Sequence, residues 1–432
     1  MKTRSPWTWV PTLYFAEGIP YVSVMTIAVI MYKNYGMSNA DIAFYTSWLY
    51  LPWTIKFLWS PFVDLFKSKR WWIVTMQLII GACMAGIALS LPGPQWFQYS
   101  MGFFWLLAFS SATHDIAADG FYMFGLNDKD QAFFVGIRNT FYRIAMISGQ
   151  GLLVVLAGEL EESVLPSWAQ SVGNIPFAWA VTFGLMALMF VGFGLYHRFI
   201  LPKPQKDILV APRKPKDIFR EFGLTFVTFI QKKNSLLAVA FLLFYRFSEA
   251  QLLKLSSPFL LDSREVGGLG LSTIAVGTIY GIVGVIALIA GGILGGILIS
   301  KDGLKKWIWP MVLCLTMPNF TSIYFAFAQP ESLWLINAGI AFEQFGYGFG
   351  FTAYTVFMLQ FAKGLHQTAH YAICTGFMAL GMMLPGFKAG AIQELLGYQH
   401  FFIYVMVCAI VPILLVKLIY PKLEEKRDPD GV

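Results

Sequence analysis

The sequence predicts an all-α polytopic membrane protein of about twelve transmembrane helices, arranged as two six-helix halves. Three observations carry this. The 432 residues are 57% apolar and only 13% charged, where a soluble domain is about a quarter charged. The mean hydropathy of +0.62 means more apolar surface than one soluble core buries, so the excess faces lipid. Finally, apolar runs of about 20 residues, the length that crosses a bilayer, recur along nearly the whole chain.

The spans are expected at 8–32, 39–62, 72–91, 97–124, 133–157, 176–200, 236–261, 272–299, 308–328, 333–361, 368–393 and 400–420. The first run is too long for a signal h-region and carries Glu17, so it is expected to remain as a span. With the N-terminus inside, twenty-one basic residues fall in inner connections and termini, against Lys33 and Arg264 outside. The 158–174 loop is acidic, with Glu159, Glu161 and Glu162. This asymmetry predicts that both ends are cytoplasmic. The net charge of +7 has the same origin, and its dispersal in short clusters argues against a nucleic-acid partner. Cys83, Cys314, Cys374 and Cys408 lie inside apolar runs without metal-ligand spacing and read as unpaired packing residues. No CxxC, HExxH, GxSxG or phosphate-cradling loop occurs, so no catalytic residue, cofactor or metal is expected. GGILGG, Gly291 to Gly296, reads as close helix packing.

The longest inner segment divides the chain into a first half at 1–200, a linker at 201–234, and a second half with a short cytoplasmic tail at 235–432. Within the linker, Ile218, Phe219, Phe222 and Phe226 recur at helical spacing while Lys216, Asp217 and Arg220 can stay wet, which predicts an interfacial helix. The halves resemble each other weakly. Gly36/Gly270 and Ser38/Ser272 share an offset of 234, and Glu17 and Glu249 precede those serines by 21 and 23 residues. Two similar six-span halves joined by a basic loop are the plan of the major facilitator fold.

An ionisable group in mid-span costs about 2.5–3.5 kcal/mol on insertion scales, so each asks for a partner or an aqueous cavity. Asp115 and Asp119 stack one turn apart on the fourth span, with Lys56 and Arg138 at similar depth to answer them. This is either an ion-pair brace or a proton site. Glu17 lies beside Gly18 and Pro20, and Glu249 sits three residues after Arg246, close enough for mutual neutralisation. Proton coupling is therefore sought among Glu17, Glu249, Asp115 and Asp119. Arg143, Arg246 and Lys254 are candidate cations for an anionic cargo, with Glu343 a further polar contact. Tyr14, Tyr21, Trp48, Trp53, Tyr245 and Tyr280 could face sugar rings. His114 abuts Asp115, but helix neighbours point about 100° apart, so they form no catalytic dyad.

LPWTIKFLWSPFVD, from Leu51, and SATHDIAADGFY, from Ser111, closely resemble two motifs of the muropeptide permease and acetyl-CoA transporter family within the major facilitators. FYRIAMISGQGLLVVLA from Phe141, FLLFYRFSEAQLLKLSSPFLLD from Phe241 and AFEQFGYGFGFTAY from Ala341 resemble its fifth, seventh and tenth spans. Lys56, Asp64, Asp115 and Asp119 fall on the family motifs, which adds Asp64 to the inner cluster with Arg138. The resemblance implies proton-coupled import of anhydromuropeptides or related cell-wall amino-sugar fragments, by a monomer in the bacterial cytoplasmic membrane. His114 stands where Gln is usual, and Glu17 where an uncharged residue is common. The alternatives are a facilitator for another saccharide or an acetyl-CoA-like thioester, and an integral-membrane acyltransferase.

Overall fold

The computed structural model describes residues 4–65, 67–126, 128–204, 207, 215–363 and 367–423. Among them the chain is helical throughout, with short 3-10 and π segments and no strand. Eight stretches are long and apolar enough to cross a membrane: Pro6–Asn34, Lys69–Ser90, Ile137–Glu162, Asn174–Ile200, Ser235–Leu261, Thr273–Asp302, Leu304–Ala328 and His370–Lys422. The last holds two expected spans, divided at Gly397, whose φ of 70° no helix continues through. The fourth and tenth spans are the 30-residue helices Trp96–Gly125 and Leu333–Ala362, whose polar and aromatic side chains dilute their hydropathy. The second span is broken into Asn39–Trp48, Leu51–Ile55, a 3-10 turn at Lys56–Leu58, and Ser60–Leu65. Pro52 enters where the first piece has ended, supplying no amide to a continuing ladder. Each of the twelve expected spans thus overlaps a helix.

Packing divides the chain into two compact units that do not follow chain order. The first comprises 1–35, 55–220 and 272–281, and the second 36–54, 221–271 and 282–432. The opening turns of the second and eighth spans therefore pack in the unit other than the one holding most of their own half. The repeat seen in the sequence falls there. Gly36 and Gly270 both take positive φ, 80° and 63°, and Ser38 and Ser272 both cap the helix that follows by accepting from Asp41 N and Ala275 N.

In the first unit, Trp9, Val10, Leu13, Ile73, Ala117 and Phe121 belong to a buried core. A Cβ on Gly18 would lie 2.7 Å from Ala145 Cβ, so this glycine lets the first and fifth spans meet closely. Asp207 of the linker caps Lys69–Ser90, accepting from Lys69 N (2.6 Å) and Arg70 N (3.1 Å). Burial pushes its carboxyl above the ordinary range, against the pull of those two amides.

In the second unit the core includes Phe241, Ile308, Met311, Tyr354 and Phe357. The eighth and tenth spans touch backbone to backbone. A Cβ on Gly291 would lie 2.1 Å from Phe345 O, and one on Gly348 2.0 Å from Leu288 O. GGILGG is close helix packing, as its composition predicts. The linker helix forms as Pro215–Ile230. Thr225 and Phe229 are buried while Leu224, Val227 and Ile230 are exposed. Just beyond its end, Lys232 Nζ donates to Phe361 O and Lys363 O. The side chains of Lys216, Asp217, Ile218, Phe219 and Phe222 lie outside the described residues. All four cysteines are free.

Candidate functional site

In the first unit the two aspartates of the fourth span each meet a cation from another helix. Lys56 Nζ lies 3.7 Å from Asp115 Oδ2, and Arg138 Nη1 donates to Asp119 Oδ1 at 3.1 Å. Tyr14 closes the second pair, its hydroxyl donating to Asp119 Oδ1 (3.3 Å) and accepting from Arg138 Nη1 (2.9 Å). The guanidinium also lies over the Tyr14 and Tyr122 rings, 4.8 and 5.1 Å from their centroids. Helical spacing explains the pairing: stacked carboxylates repel unless each finds a counter-charge. The side chain of Asp64 lies outside the described residues.

Glu17 is near enough to this cluster to interact electrostatically with Asp115, Asp119, Arg138 and Lys56. Its Oε2 is shielded from solvent and has no hydrogen-bond partner among the described residues. It follows Tyr14 by one turn and stands just before Pro20, after which the first span turns into a π segment at Ser23–Ile27. Arg143 is partly exposed, and among the described residues no hydrogen bond or ion pair holds its guanidinium. Tyr21 is half-buried beside Tyr142.

The second unit treats its charges differently. Arg246 grips Glu249 with two hydrogen bonds, Nε to Oε2 at 3.2 Å and Nη2 to Oε1 at 3.1 Å. It also donates to Tyr347 OH at 2.7 Å and lies over the Tyr347 and Phe351 rings. The neutralisation allowed by their spacing is what the structure contains, with the Nε and Nη2 donors of Arg246 committed to Glu249 and Tyr347. Glu343 is buried, accepting from Ser322 Oγ and Gln344 Nε2 at 3.3 Å each.

Lys254 is 5% exposed and, among the described residues, has no acid beside it. Its Nζ donates to Thr46 Oγ1 at 2.9 Å and lies 5.0 Å from the centre of the Tyr50 ring. Trp53 is buried in the same unit. Two of the expected sugar-facing rings are instead packing residues. Tyr245 is fully buried, stacked 5.3 Å from Tyr354 with its hydroxyl donating to Gly350 O. Tyr14 is 2% exposed, and its hydroxyl is committed to Asp119.

Sequence reasoning missed three polar nodes. In the second unit Asn39 Nδ2 donates to Gln393 Oε1, Tyr398 OH and Asp262 Oδ2, and Tyr398 OH donates to Asp262 at 2.6 Å. In the first, Glu161 accepts from Asn34 (2.6 Å), Trp179 (2.7 Å) and Thr273 (2.7 Å). Asn39 and Thr273 are again 234 apart, so the repeat was the available signal. The third is a buried chain in which His114 Nε2 meets Gln77 Nε2 (3.0 Å), Gln77 Oε1 meets His197 Nδ1 (2.9 Å), and His197 Nε2 meets Thr12 Oγ1 (3.0 Å). His114 thus bonds toward Gln77 of the third span, while Asp115 pairs with Lys56.

Membrane-spanning helices that bury ion pairs and, among the described residues, a lysine nitrogen without an acid mark a multi-pass membrane transporter. The chain belongs to the Major Facilitator Superfamily, whose family model matches residues 12–387. Among curated proteins, the Anhydromuropeptide permease of Escherichia coli K12 is 23% identical over 431 residues, 97% of this chain and 80% of the relative. The Putative transporter AmpG 4 of Rickettsia felis is 26% identical over 426 residues, 92% of each. Solved structures agree in fold. A D-xylose-proton symporter superposes with a TM-score of 0.71 at 12% identity, covering 98% of both chains. The nucleoside transporter NupG does so at 0.64 and 12% identity, covering 96% of this chain and all of that one.

Proposed function

We propose that this protein is a proton-coupled importer of an anionic, sugar-containing solute of the anhydromuropeptide class. It acts as a monomer in the bacterial cytoplasmic membrane, both termini cytoplasmic, by alternating access. The observation that carries the anionic cargo is Lys254, a buried basic side chain with no carboxylate beside it among the described residues. A buried charge left uncompensated costs several kcal/mol, so a cargo carboxylate is its natural counter-ion. Arg143 offers a second cation without a partner among the described residues. Similarity to the Escherichia coli permease over 97% of this chain supports the amino-sugar class.

The coupling proton is carried by Glu17. Unlike Glu249, it has no arginine bonded to it among the described residues, and unlike Asp115 and Asp119 it stands outside the paired brace. Glu17→Gln mimics a permanently protonated carrier, so in proteoliposomes the number of protons moved per cargo should fall while counterflow exchange continues. An unchanged proton-to-cargo ratio in that variant moves the role to the aspartate pair. A deletion strain tested with labelled wall fragments, amino sugars and nucleotide thioesters checks the cargo. Unchanged uptake of wall fragments together with lost uptake of another class would overturn the assignment.

A further inference from the structure

We propose that Lys254 is a proton-loading seat: an uncharged amine when empty, which takes up a proton together with the carboxylate of an arriving anion. Amine, proton and carboxylate then become an ammonium–carboxylate pair, with the proton coming from the solution that delivers the anion and no other bond changing. The inference rests on the anionic-cargo reading, and places a second protonation event in the second unit, apart from Glu17.

The geometry begins with what Lys254 lacks. Its nitrogen sits in the seventh span, 5% exposed, and a permanent ammonium there needs an opposite charge. Among the described residues, the charged groups on the elements packed around it are engaged elsewhere or turned outward. On its own helix Glu249 is bound by Arg246, and Asp262 beyond its end by Tyr398 and Asn39. On 36–54, Asp41 accepts from Ser38 Oγ at the exposed start, and Tyr45 and Tyr50 offer only phenols. On the eleventh span Lys388 is exposed and Glu394 accepts from Ala40 N. Lys306 of the ninth span pairs with Asp302, Lys305 lies over the Tyr420 ring, and Lys417 of the twelfth is exposed. None of these groups forms an ion pair with Lys254 or compensates it electrostatically. A hydroxyl contact and an aromatic ring together fall short of the cost of burying an ammonium.

The remaining contacts suit an amine that waits for an acid. Thr46 spends its only hydroxyl hydrogen on Ile42 O at 2.6 Å, so toward Lys254 it can only accept, leaving the amine lone pair unengaged. Beside it, the buried Ser47 Oγ has no hydrogen-bond partner among the described residues. Gly386 abuts both. A Cβ there would lie 2.5 Å from Ser47 Oγ and 3.2 Å from Lys254 Cε. Gly386 therefore packs on both more closely than a Cβ allows, and the Lys254 nitrogen and the unspent Ser47 hydroxyl supply two neighbouring donors for the two oxygens of a carboxylate.

The test uses the full chain in lipid nanodiscs with 15N-lysine, the Lys254 Nζ resonance being the one absent from Lys254→Arg. Without ligand at pH 7.5 it should report a neutral amine; an ammonium overturns the proposal whatever the cargo. N-acetylmuramic acid should convert it to an ammonium and draw about one proton per bound ligand from weakly buffered solution, while its primary amide draws none. In Lys254→Arg the acid should still bind and this difference should disappear. Equal proton uptake for acid and amide in the native protein also overturns it. Acetate at saturating concentration separates the two readings. Conversion by acetate but not by the amino-sugar acid upholds the seat and sinks the cargo class, and conversion by neither sinks the seat. Ser47→Ala leaves the nitrogen in place, so it should weaken acid binding about tenfold with proton uptake per bound acid unchanged.

Discussion

Replacing Arg246 with Met takes away the guanidinium that holds Glu249 by bonds of 3.2 and 3.1 Å and that Tyr347 meets at 2.7 Å. The partner side chains are 9% and 4% exposed, so the carboxylate left behind has neither water nor a counter-charge. Breaking such a pair on one side costs about 3–5 kcal/mol, and the lost Tyr347 contact adds about 1 kcal/mol. At about 1.4 kcal/mol per decade, the ion-pair loss alone lowers the folded-to-unfolded ratio by roughly a hundred- to several-thousandfold. The assay is reversible unfolding of the purified protein in mixed micelles titrated with a denaturing detergent. Arg246→Met combined with Glu249→Leu removes both charges and should recover most of the loss, because a buried pair replaced by apolar groups is often neutral or better. A double variant as unstable as the single one would refute the ion-pair account. The double variant should also still prefer an acidic cargo over its amide, because Lys254 is untouched. Loss of that preference would hand the anion-binding role to Arg246.

Further outcomes follow from other contacts. Asp115→Asn or Lys56→Ala should cripple uptake while membrane insertion stays intact, and normal uptake by both would show the 3.7 Å pair to be dispensable. Arg143→Gln should weaken binding of an acidic cargo about tenfold more than that of its amide; equal weakening would assign Arg143 to packing. Gly348→Val should prevent stable folding, since even its Cβ would lie 2.0 Å from Leu288 O, and a well-folded variant by the same detergent titration would deny that contact. Fusion reporters should read outside in the 158–174 loop and inside near 215 and at the C-terminus; an outside signal near 215 would overturn the two-halves reading.

The spans were legible because lipid imposes one simple demand, a run of apolar residues long enough to cross, and even the broken second span kept it. Charges in mid-span were equally visible, because each stands out against Leu and Phe. Their partners were less so. Arg246 and Glu249 sit one turn apart, so helix geometry alone offers the pair, whereas Lys56–Asp115 joins helices far apart in sequence and could be inferred only from depth. Aromatic side chains carried least information. Tyr245 and Tyr14 look on paper like any cavity-facing ring, and only the fold reveals that one stacks on Tyr354 and the other closes an arginine–aspartate bond. Asn39, Gln77 and Thr273 are ordinary polar residues in sequence, and become conspicuous once two or three partners converge on them.

The second and eighth spans change company partway along their length, the second at Thr54/Ile55 and the eighth at Gly281/Ile282. Both changes fall where the helical ladder is already irregular. On one side are the break before Pro52 and the 3-10 turn at Lys56–Leu58; on the other is the π segment Gly277–Gly284. A regular α-helix bent sharply must surrender bonds that were intact, but a joint already off the i to i+4 pattern has fewer of them to lose. Each of these spans therefore behaves mechanically as two short rods with a soft coupling, whose ends can be held by different neighbours without the strain being carried along the whole helix.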